Sequence, residues 1–525
     1  MTMNINKILK VILIFFGFYL TLSLVSHTFD GDFGWHLRFG KDALSGNFQY
    51  VDNYTWSHLN RNWVNHEWGG DAIFWILYNN LGYFSLVLFV SLALFSAYLL
   101  VPKIFNKKLT PTSITLSILA LLSVSYIIMM RLSMLSLLFF VILWWSLEKL
   151  PSKKTYYYWP VILWLWAFFH GSWILGFITI NIYLAGNLIQ LIIQKRKKLP
   201  LKKTEWTAET IKKVVTWQII SALVLVINPY TFHIWTEVAS YFTNSFYKSH
   251  INEWLPSYSY PVFWWPLIIA VISGTSLYLD VVINKNKRVS LAQILLFVAF
   301  FISAMQYRRN MMFFVLICLP ILVATLSEIV KKIKYRQKNS ALNLIMIIVV
   351  IALIVKIQPI IRYNYNIWQD KFIITAYGFP YTAVEFLKDE IAETKNVRLF
   401  NRYAWGGYLN WNLPNSLVYL DGRSAATWKT IEGESLLAQY FDILLKENQL
   451  QYLEKNNVKY ILLNKNLPDY GPPSWSDRLL FGQEQLEKVL SIEPFQLEKD
   501  IAKNKNWKLI YSDNISNVWK FITKN

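Results

Sequence analysis

The chain has 525 residues, of which 54% are hydrophobic, 17% aromatic and only 16% charged. A soluble protein of this size carries about a quarter charged residues, so a single soluble domain and a disordered chain are both excluded. The net charge of +20 suggests nucleic acid until it is located: residues 1–355 hold 31 Lys and Arg against 13 Asp and Glu, while residues 356–525 hold 21 against 19. The excess lies between apolar segments, where membrane topology accounts for it and no nucleic-acid partner is needed. The 24 Trp, 31 Tyr and 34 Phe suit aromatic belts at two membrane interfaces. Cys318 is the lone cysteine, which excludes a disulfide framework and a cysteine metal site.

Residues 1–355 read as successive membrane spans, each needing about 20 mostly apolar residues. About eleven fit, at 10–28, 72–101, 112–129, 132–148, 156–170, 172–193, 214–228, 262–280, 290–306, 311–328 and 341–357. Lys7 and Lys10 precede the first span as in a signal peptide. No small-x-small cleavage pair follows, so it is expected to remain as an anchor. With the N-terminus inside, the inner connections hold 24 Lys and Arg and the outer ones seven, as the positive-inside rule requires. The outer connections carry Asp30, Asp32, Asp42, Asp52, Glu67, Asp71, Glu237 and Glu253. An odd number of spans places the tail outside.

The expected organisation is therefore a polytopic α-helical membrane domain over 1–357 and an extracytoplasmic α/β domain over 358–525. In the tail, 397–401, 417–421 and 458–464 read as strands, with 507–512 and 517–522 as a hairpin. Helices are expected at 379–393, 431–455 and 477–490. Lys-, Asn- and Ile-rich usage points to a bacterial source with AT-rich DNA, hence a bacterial plasma membrane.

The first outer connection begins Asp30-Gly31-Asp32-Phe33-Gly34-Trp35-His36-Leu37-Arg38. Glycines there let the backbone bend close to a ligand. Asp30 and Asp32 suit a divalent cation or, for one of them, a general base toward an acceptor hydroxyl. The bland alternative is a solvated loop. Asn65-His66-Glu67-Trp68-Gly69-Gly70-Asp71 closes the connection, with Glu67 and His66 either completing a carboxylate and imidazole site or serving as interfacial polar neighbours. Arg131 and the Arg308-Arg309-Asn310 stretch fall in very short outer turns. They suit a phosphate, or they snorkel to headgroups. His170, beside Gly171, lines a cavity or is a hydrogen-bonded interfacial histidine. Glu253 lies in a long segment after Asn228-Pro229-Tyr230, either covering a groove or lying on the membrane. In the tail, Trp405, Tyr408, Asp421 and Arg423 follow strands, where α/β domains place sites. They either stack on and bind a sugar or form a tight turn with an ion pair.

In this order the motifs resemble the GT-C superfamily of multi-span glycosyltransferases, and more closely an uncharacterised bacterial branch of it. That branch shares an Asp-x-Asp-x-x-Trp-His start, a Trp-Ala-x-x-His-Gly stretch, Asn-Pro-Tyr, a Glu-Trp loop, Arg-Asn and a Trp-Gly-Gly-Tyr…Asp-Gly-Arg tail. Here they fall at 30–36, 166–171, 228–230, 253–254, 309–310 and 405–423. The superfamily includes oligosaccharyltransferase catalytic subunits, protein O-mannosyltransferases and the lipid A aminoarabinose transferase.

The resemblance implies a polyprenyl-phosphate sugar donor and a protein, lipid or glycan acceptor at the outer face, in cell-envelope glycosylation. It implies Asp32 as the catalytic carboxylate with Asp30 and Glu67 as partners, and Arg308, Arg309 and Arg131 on the donor phosphate. His36, His170, Glu253, Trp405, Tyr408, Asp421 and Arg423 fall on the acceptor or cavity. The resemblance leaves the need for a metal open, since the superfamily contains both metal-dependent and metal-independent members; if one is used, Mg or Mn would sit on Asp30, Asp32 and Glu253. The Trp-Trp-Asp acceptor motif of oligosaccharyltransferases is absent as such, so transfer to an asparagine sequon is not implied. A lipid-carrier transporter or flippase and a non-catalytic scaffold for envelope polymer assembly are the competing readings. Polar residues gathered at one face, rather than at the midplane, favour surface chemistry.

Overall fold

A computed structural model describes residues 5–104, 109–194, 201–283, 289–332, 371–423, 427–465, 473–490 and 495–522. The first part is a helical bundle: α1 (Ile5–Ser26), α2 (Phe33–Leu44), α3 (Trp68–Leu81), α4 (Tyr83–Ile104), α5 (Pro111–Ser123), α6 (Leu135–Glu148), α7 (Trp159–Phe169) and α8 (Ile174–Gln194). It continues with α9 (Ala208–Val224), α10 (His233–Thr243), α11 (Ser245–His250), α12 (Trp264–Tyr278), α13 (Leu291–Gln306) and α14 (Met311–Lys332). Among the described residues, five helices are long and apolar enough to cross a bilayer: Asn6–Ser26, Tyr83–Ile104, Gly171–Gln194, Trp264–Val281 and Arg308–Leu326. Local sequence sets several ends. Thr110 and Ser113 form a capping box with Pro111 in the first turn of α5, and Ser290 with Gln293 caps α13.

Two expectations change. The span read at 72–101 is two helices, broken at Gly82, whose φ of +74° favours glycine. Its first part, α3, packs mainly on α2 and belongs with the first connection. The Asp30 segment is not a loop throughout, because α2 starts directly after Asp32. The span expected at 341–357 lies outside the described residues, as does the boundary expected at 357/358.

The tail is α/β as expected. Its sheet holds β1 (Val397–Asn401), β2 (Ser416–Val418), β3 (Tyr460–Asn464), β4 (Trp507–Ser512) and β5 (Ser516–Phe521) in the order β2-β1-β3-β5-β4. The first three strands are parallel, and β5 and β4 are antiparallel additions. Strand β2 is shorter than expected because the Asn401 side chain takes over: it accepts from the Tyr419 N–H at 2.8 Å and donates to the Leu420 carbonyl at 2.9 Å. The helix expected over 431–455 is split into Leu436–Leu445 and Leu450–Lys455. The one expected over 477–490 is split at Gly482, where φ is +72°. Helices Gly406–Asn412 and Gln496–Lys503 were not expected.

The two parts interlock. The first connection adds to the free edge of β2: Thr55 bridges Val418, the Val418 N–H donates to the Tyr54 carbonyl at 3.2 Å, and the Trp56 N–H to the Val418 carbonyl at 3.0 Å. Helix Gly406–Asn412 lies along α2 so closely that a Cβ on Gly34 would overlap the Gly407 carbonyl, and one on Gly407 the Gly31 carbonyl. At the centre of the junction, Arg423 donates to Asp421 at 2.6 Å and to Asp52 at 3.0 Å, with all three side chains fully buried. Tyr54, Trp63 and Trp428 face its guanidinium at 4.8, 4.4 and 5.2 Å. Removing one partner from such a pair strands a buried charge, so Arg423→Ala should cost about 3–5 kcal/mol. A large fall in the thermal unfolding midpoint of the detergent-purified chain checks this.

Candidate functional site

Four connections bring polar side chains to one end of the bundle: Asp30 and Asp32 after α1, Arg131 between α5 and α6, His170 between α7 and α8, and Arg309 between α13 and α14. Glu253 joins them from the segment between α11 and α12. All but Asp30, which stands behind Arg131, line a cavity of about 100 Å³ whose lining also includes His36, His66, Glu67, Tyr241, Tyr247 and, from the tail, Gly422 and Arg423.

Arg131 is the hub. Its Nε and Nη2 fork onto the two oxygens of Asp30, the latter at 3.0 Å. The same Nη2 donates to Asp32 at 3.0 Å, and Nη1 donates to Glu253. Asp32 caps α2 by position but makes no side-chain capping bond, so its carboxylate faces Arg131 and the cavity. The Asp30 carboxylate accepts the Asp32 backbone N–H at 3.0 Å, which fixes the turn. Burial pushes the Asp32 carboxyl up to about 6, with His36 pulling it down and Glu253 and Asp421 pushing it further up. Burial also opposes ionisation of Glu253, yet Arg131 and Arg309 hold its carboxyl below the usual range.

A second cluster forms the cavity wall. The His36 Nδ1 meets Asp71 at 2.6 Å, and its Nε2 faces Glu67 at 3.5 Å. Asn65 donates to the other Asp71 oxygen at 2.7 Å. The Nε2 atoms of His170 and His66 approach Glu67 at 3.2 and 3.8 Å. Burial drives the Glu67 carboxyl up to about 8 against the pull of His36. It drives His66 down to about 4 and His170 down as well, with nearby cations adding to both. His36 goes the other way: burial disfavours its charge, but Asp71 and Glu67 raise it. The wall thus sets an imidazole whose charged form its neighbours favour between carboxyl groups, flanked by two whose charged form is disfavoured. Asp71 and Asn65 acquire roles here that the sequence reading did not assign, and His66 stands beside Glu67 as one of its two readings had it.

Several expected site residues are placed elsewhere. Arg308 is only 4% exposed. Its guanidinium donates to Asn252 and to the carbonyls of Pro256, Ser259, Tyr260 and Pro261. It clamps the segment carrying Glu253 and is spent there rather than on a phosphate. Trp405 and Tyr408 are each 1% exposed. Trp405 donates to the Gly378 carbonyl at 3.1 Å, and Tyr408 packs on Phe29 and Phe379. Both are core residues, with no face for a sugar. Asp421 and Arg423 form the junction ion pair, and only Arg423 reaches the cavity edge. Arg131 is held by carboxylates. Arg309 differs: it lines the cavity, stacks on Trp254 at 4.8 Å and has only a 3.9 Å approach to Glu253.

Asp30, Asp32 and Glu253, the expected metal ligands, do converge, and their hard oxygens suit Mg or Mn. Their common centre, however, is the Arg131 guanidinium. As arranged, the set does not fit a divalent cation.

The fold has solved counterparts. It is similar to an oligosaccharyltransferase from Archaeoglobus fulgidus tethered to an acceptor peptide containing the NVT sequon, with TM-score 0.51 and 11% identity. It is similar to the apo form of that enzyme with TM-score 0.52 and 11% identity. It is also similar to that organism's AglB in complex with an inhibitory peptide and a dolichol-phosphate, with TM-score 0.51 and 10% identity. In each case the match covers 87% of this chain and 69% of the other. The chain has an oligosaccharyltransferase-like fold. At this identity the likeness is one of fold. No family model matches the sequence, and no curated protein matches it.

The oligosaccharyltransferase-like fold brings Asp32 against the tail. A Cβ on Gly422 would overlap the Asp32 carboxylate. Gly422→Ala should therefore displace Asp32 and abolish the cleft's activity while leaving the thermal midpoint within a few degrees of wild type. Paired thermal unfolding and turnover assays check this.

Proposed function

We propose that the chain is a glycosyltransferase that moves a sugar from a polyprenyl-phosphate-linked donor to an acceptor hydroxyl in the Asp32 cleft. The observation that carries this reading is a half-buried carboxylate with a raised pKa, set beside a cavity-lining arginine in a fold shared with oligosaccharyltransferases. The neighbour bound to a dolichol-phosphate supports a lipid-linked donor. Gathering of the polar groups at one end of the bundle favours chemistry at a membrane face over passage through the midplane. The distribution of Lys and Arg between connections supports an outward orientation for that face, with the tail over it, in a bacterial plasma membrane.

The proposed chemistry is a single displacement. The donor phosphate lies against Arg309, whose guanidinium stabilises the negative charge that grows on the leaving oxygen. The acceptor hydroxyl attacks the anomeric carbon, the bond from that carbon to the phosphate oxygen breaks, and Asp32 takes the hydroxyl proton. One displacement inverts the anomeric carbon. Arg131 keeps Asp30, Asp32 and Glu253 in register. His36 and Glu67 border the acceptor side, where the protonated Glu67 carboxyl can donate a hydrogen bond.

Purified protein in nanodiscs, offered radiolabelled polyprenyl-phosphate sugars and a membrane extract as acceptor source, tests the reading. Asp32→Asn should lose transfer by at least about a thousandfold while retaining donor binding. Arg309→Ala should weaken donor binding by about ten- to a hundredfold. Neither binding nor transfer across a broad donor panel by wild type would sink the reading. A pH dependence follows from Asp32, which acts as a base only when ionised and has its carboxyl pushed up to about 6. Turnover should be flat above that value and fall about tenfold per pH unit below it, as a kcat profile would show.

A further inference from the structure

Asp30, Asp32 and Glu253 come from two separate connections of the bundle, yet their carboxylates share one centre. Three carboxylates drawn together in a partly desolvated cleft repel one another unless a cation sits among them. The chain supplies that cation itself. A guanidinium has five N–H bonds in a rigid plane, and Arg131 spends four of them here: one from Nε, two from Nη2 and one from Nη1. The backbone at Arg131 is extended, with φ −135° and ψ 153°, and the following turn Leu132–Met134 packs against α6 and α4. The side chain is thus delivered from a fixed point. The second arginine at the cavity, Arg309, stands close enough to Glu253 to add to the same compensation.

We propose that Arg131 is a tethered stand-in for a divalent cation. The cleft then works without a metal, and deleting the Arg131 side chain leaves Asp30, Asp32 and Glu253 as a latent site for a divalent, oxygen-preferring ion. The donor chemistry supports this: carboxylate oxygens on two backbone segments are what Mg and Mn take. Position supports it too, because a metal at the shared centre would overlap the guanidinium and face its charge. A guanidinium also differs from a metal in what it does for the cleft. It fixes the carboxylates by directed hydrogen bonds and exchanges no ligand with solvent.

Metal binding is read directly, so the outcome does not depend on the reaction assigned to the cleft. The full chain is purified in nanodiscs, stripped with a chelator and titrated with Mn2+ alone, with free Mn2+ followed by electron paramagnetic resonance. Wild type should bind no Mn2+ more tightly than about 1 mM. Arg131→Ala should bind one Mn2+ per chain at least about tenfold more tightly, and Mn2+ should raise its thermal midpoint but not that of wild type. Adding Asp30→Asn and Glu253→Gln to Arg131→Ala should return binding to the wild-type level, and Arg131→Lys should bind no better than wild type. Arg131→Gln, closer in size, serves if Arg131→Ala does not fold. One tight Mn2+ per wild-type chain, lost in Glu253→Gln, overturns the proposal. So does a folded Arg131→Ala or Arg131→Gln that binds no more than wild type. If neither variant folds even with Mn2+ present, the latent site does not exist and the proposal falls.

Discussion

Arg423 lies wholly buried between Asp421 of the tail and Asp52 of the first connection, with aromatic rings closing over its guanidinium. A charge in that position is tolerated only while both carboxylates stay in place. Neither part of the chain can satisfy it alone, because Asp52 is 371 residues from Arg423. The pair therefore fixes where the tail sits on the bundle. The turn that carries Arg423 also carries Gly422, whose missing side chain leaves room for the Asp32 carboxylate. A buried ion pair thus decides where the proposed base stands.

Around Asp32 the arginines divide their work by what is already bonded to them. Arg308 and Arg131 are both heavily engaged, one mainly by carbonyls and one by carboxylates. Arg309 has an aromatic face and one long electrostatic neighbour, and it opens on the cavity. Only such a guanidinium can take a phosphate without first giving up hydrogen bonds. On the carboxylate side, Asp32 and Glu253 share Arg131 but titrate in opposite directions. Asp32 has burial as its main influence, while Glu253 has two arginines on it. That separation lets one group exchange a proton while its neighbour stays charged.

Much of the fold was legible in the sequence. Apolar runs placed most of the bundle helices to within a few residues, and β1 and β4 were read to their ends. Asp32, Glu67, His36, His170, Glu253 and Arg309 were all picked out at helix ends, and the structure brings them to one cavity, with Asp30 held behind it by Arg131. What failed has common causes. Gly31, Gly34 and Gly40 suggested a turn, since glycine disfavours helix. They instead give the close approach that lets α2 meet the tail and α3. Trp405 and Tyr408 read as a sugar platform because aromatics near glycines suit one, and sequence carries no burial. Arg131 and Arg308 looked available because an arginine's hydrogen-bond partners lie far from it in the chain. Asp52 was only one more outer acid, and its partner sits beyond any local pattern.

The junction also sets an order of events during synthesis. Every bundle side chain at the cavity has left the ribosome by residue 309, but the turn that seats Asp32 arrives more than a hundred residues later. Until that turn docks, the first connection has no strand to pair with and Asp52 has no counter-charge. The nascent protein is therefore inserted with the Asp32 carboxylate unseated. The proposed chemistry therefore waits for the tail, which is made after the bundle, and a chain cut before residue 422 would carry the motifs of the first connection without the turn that seats Asp32.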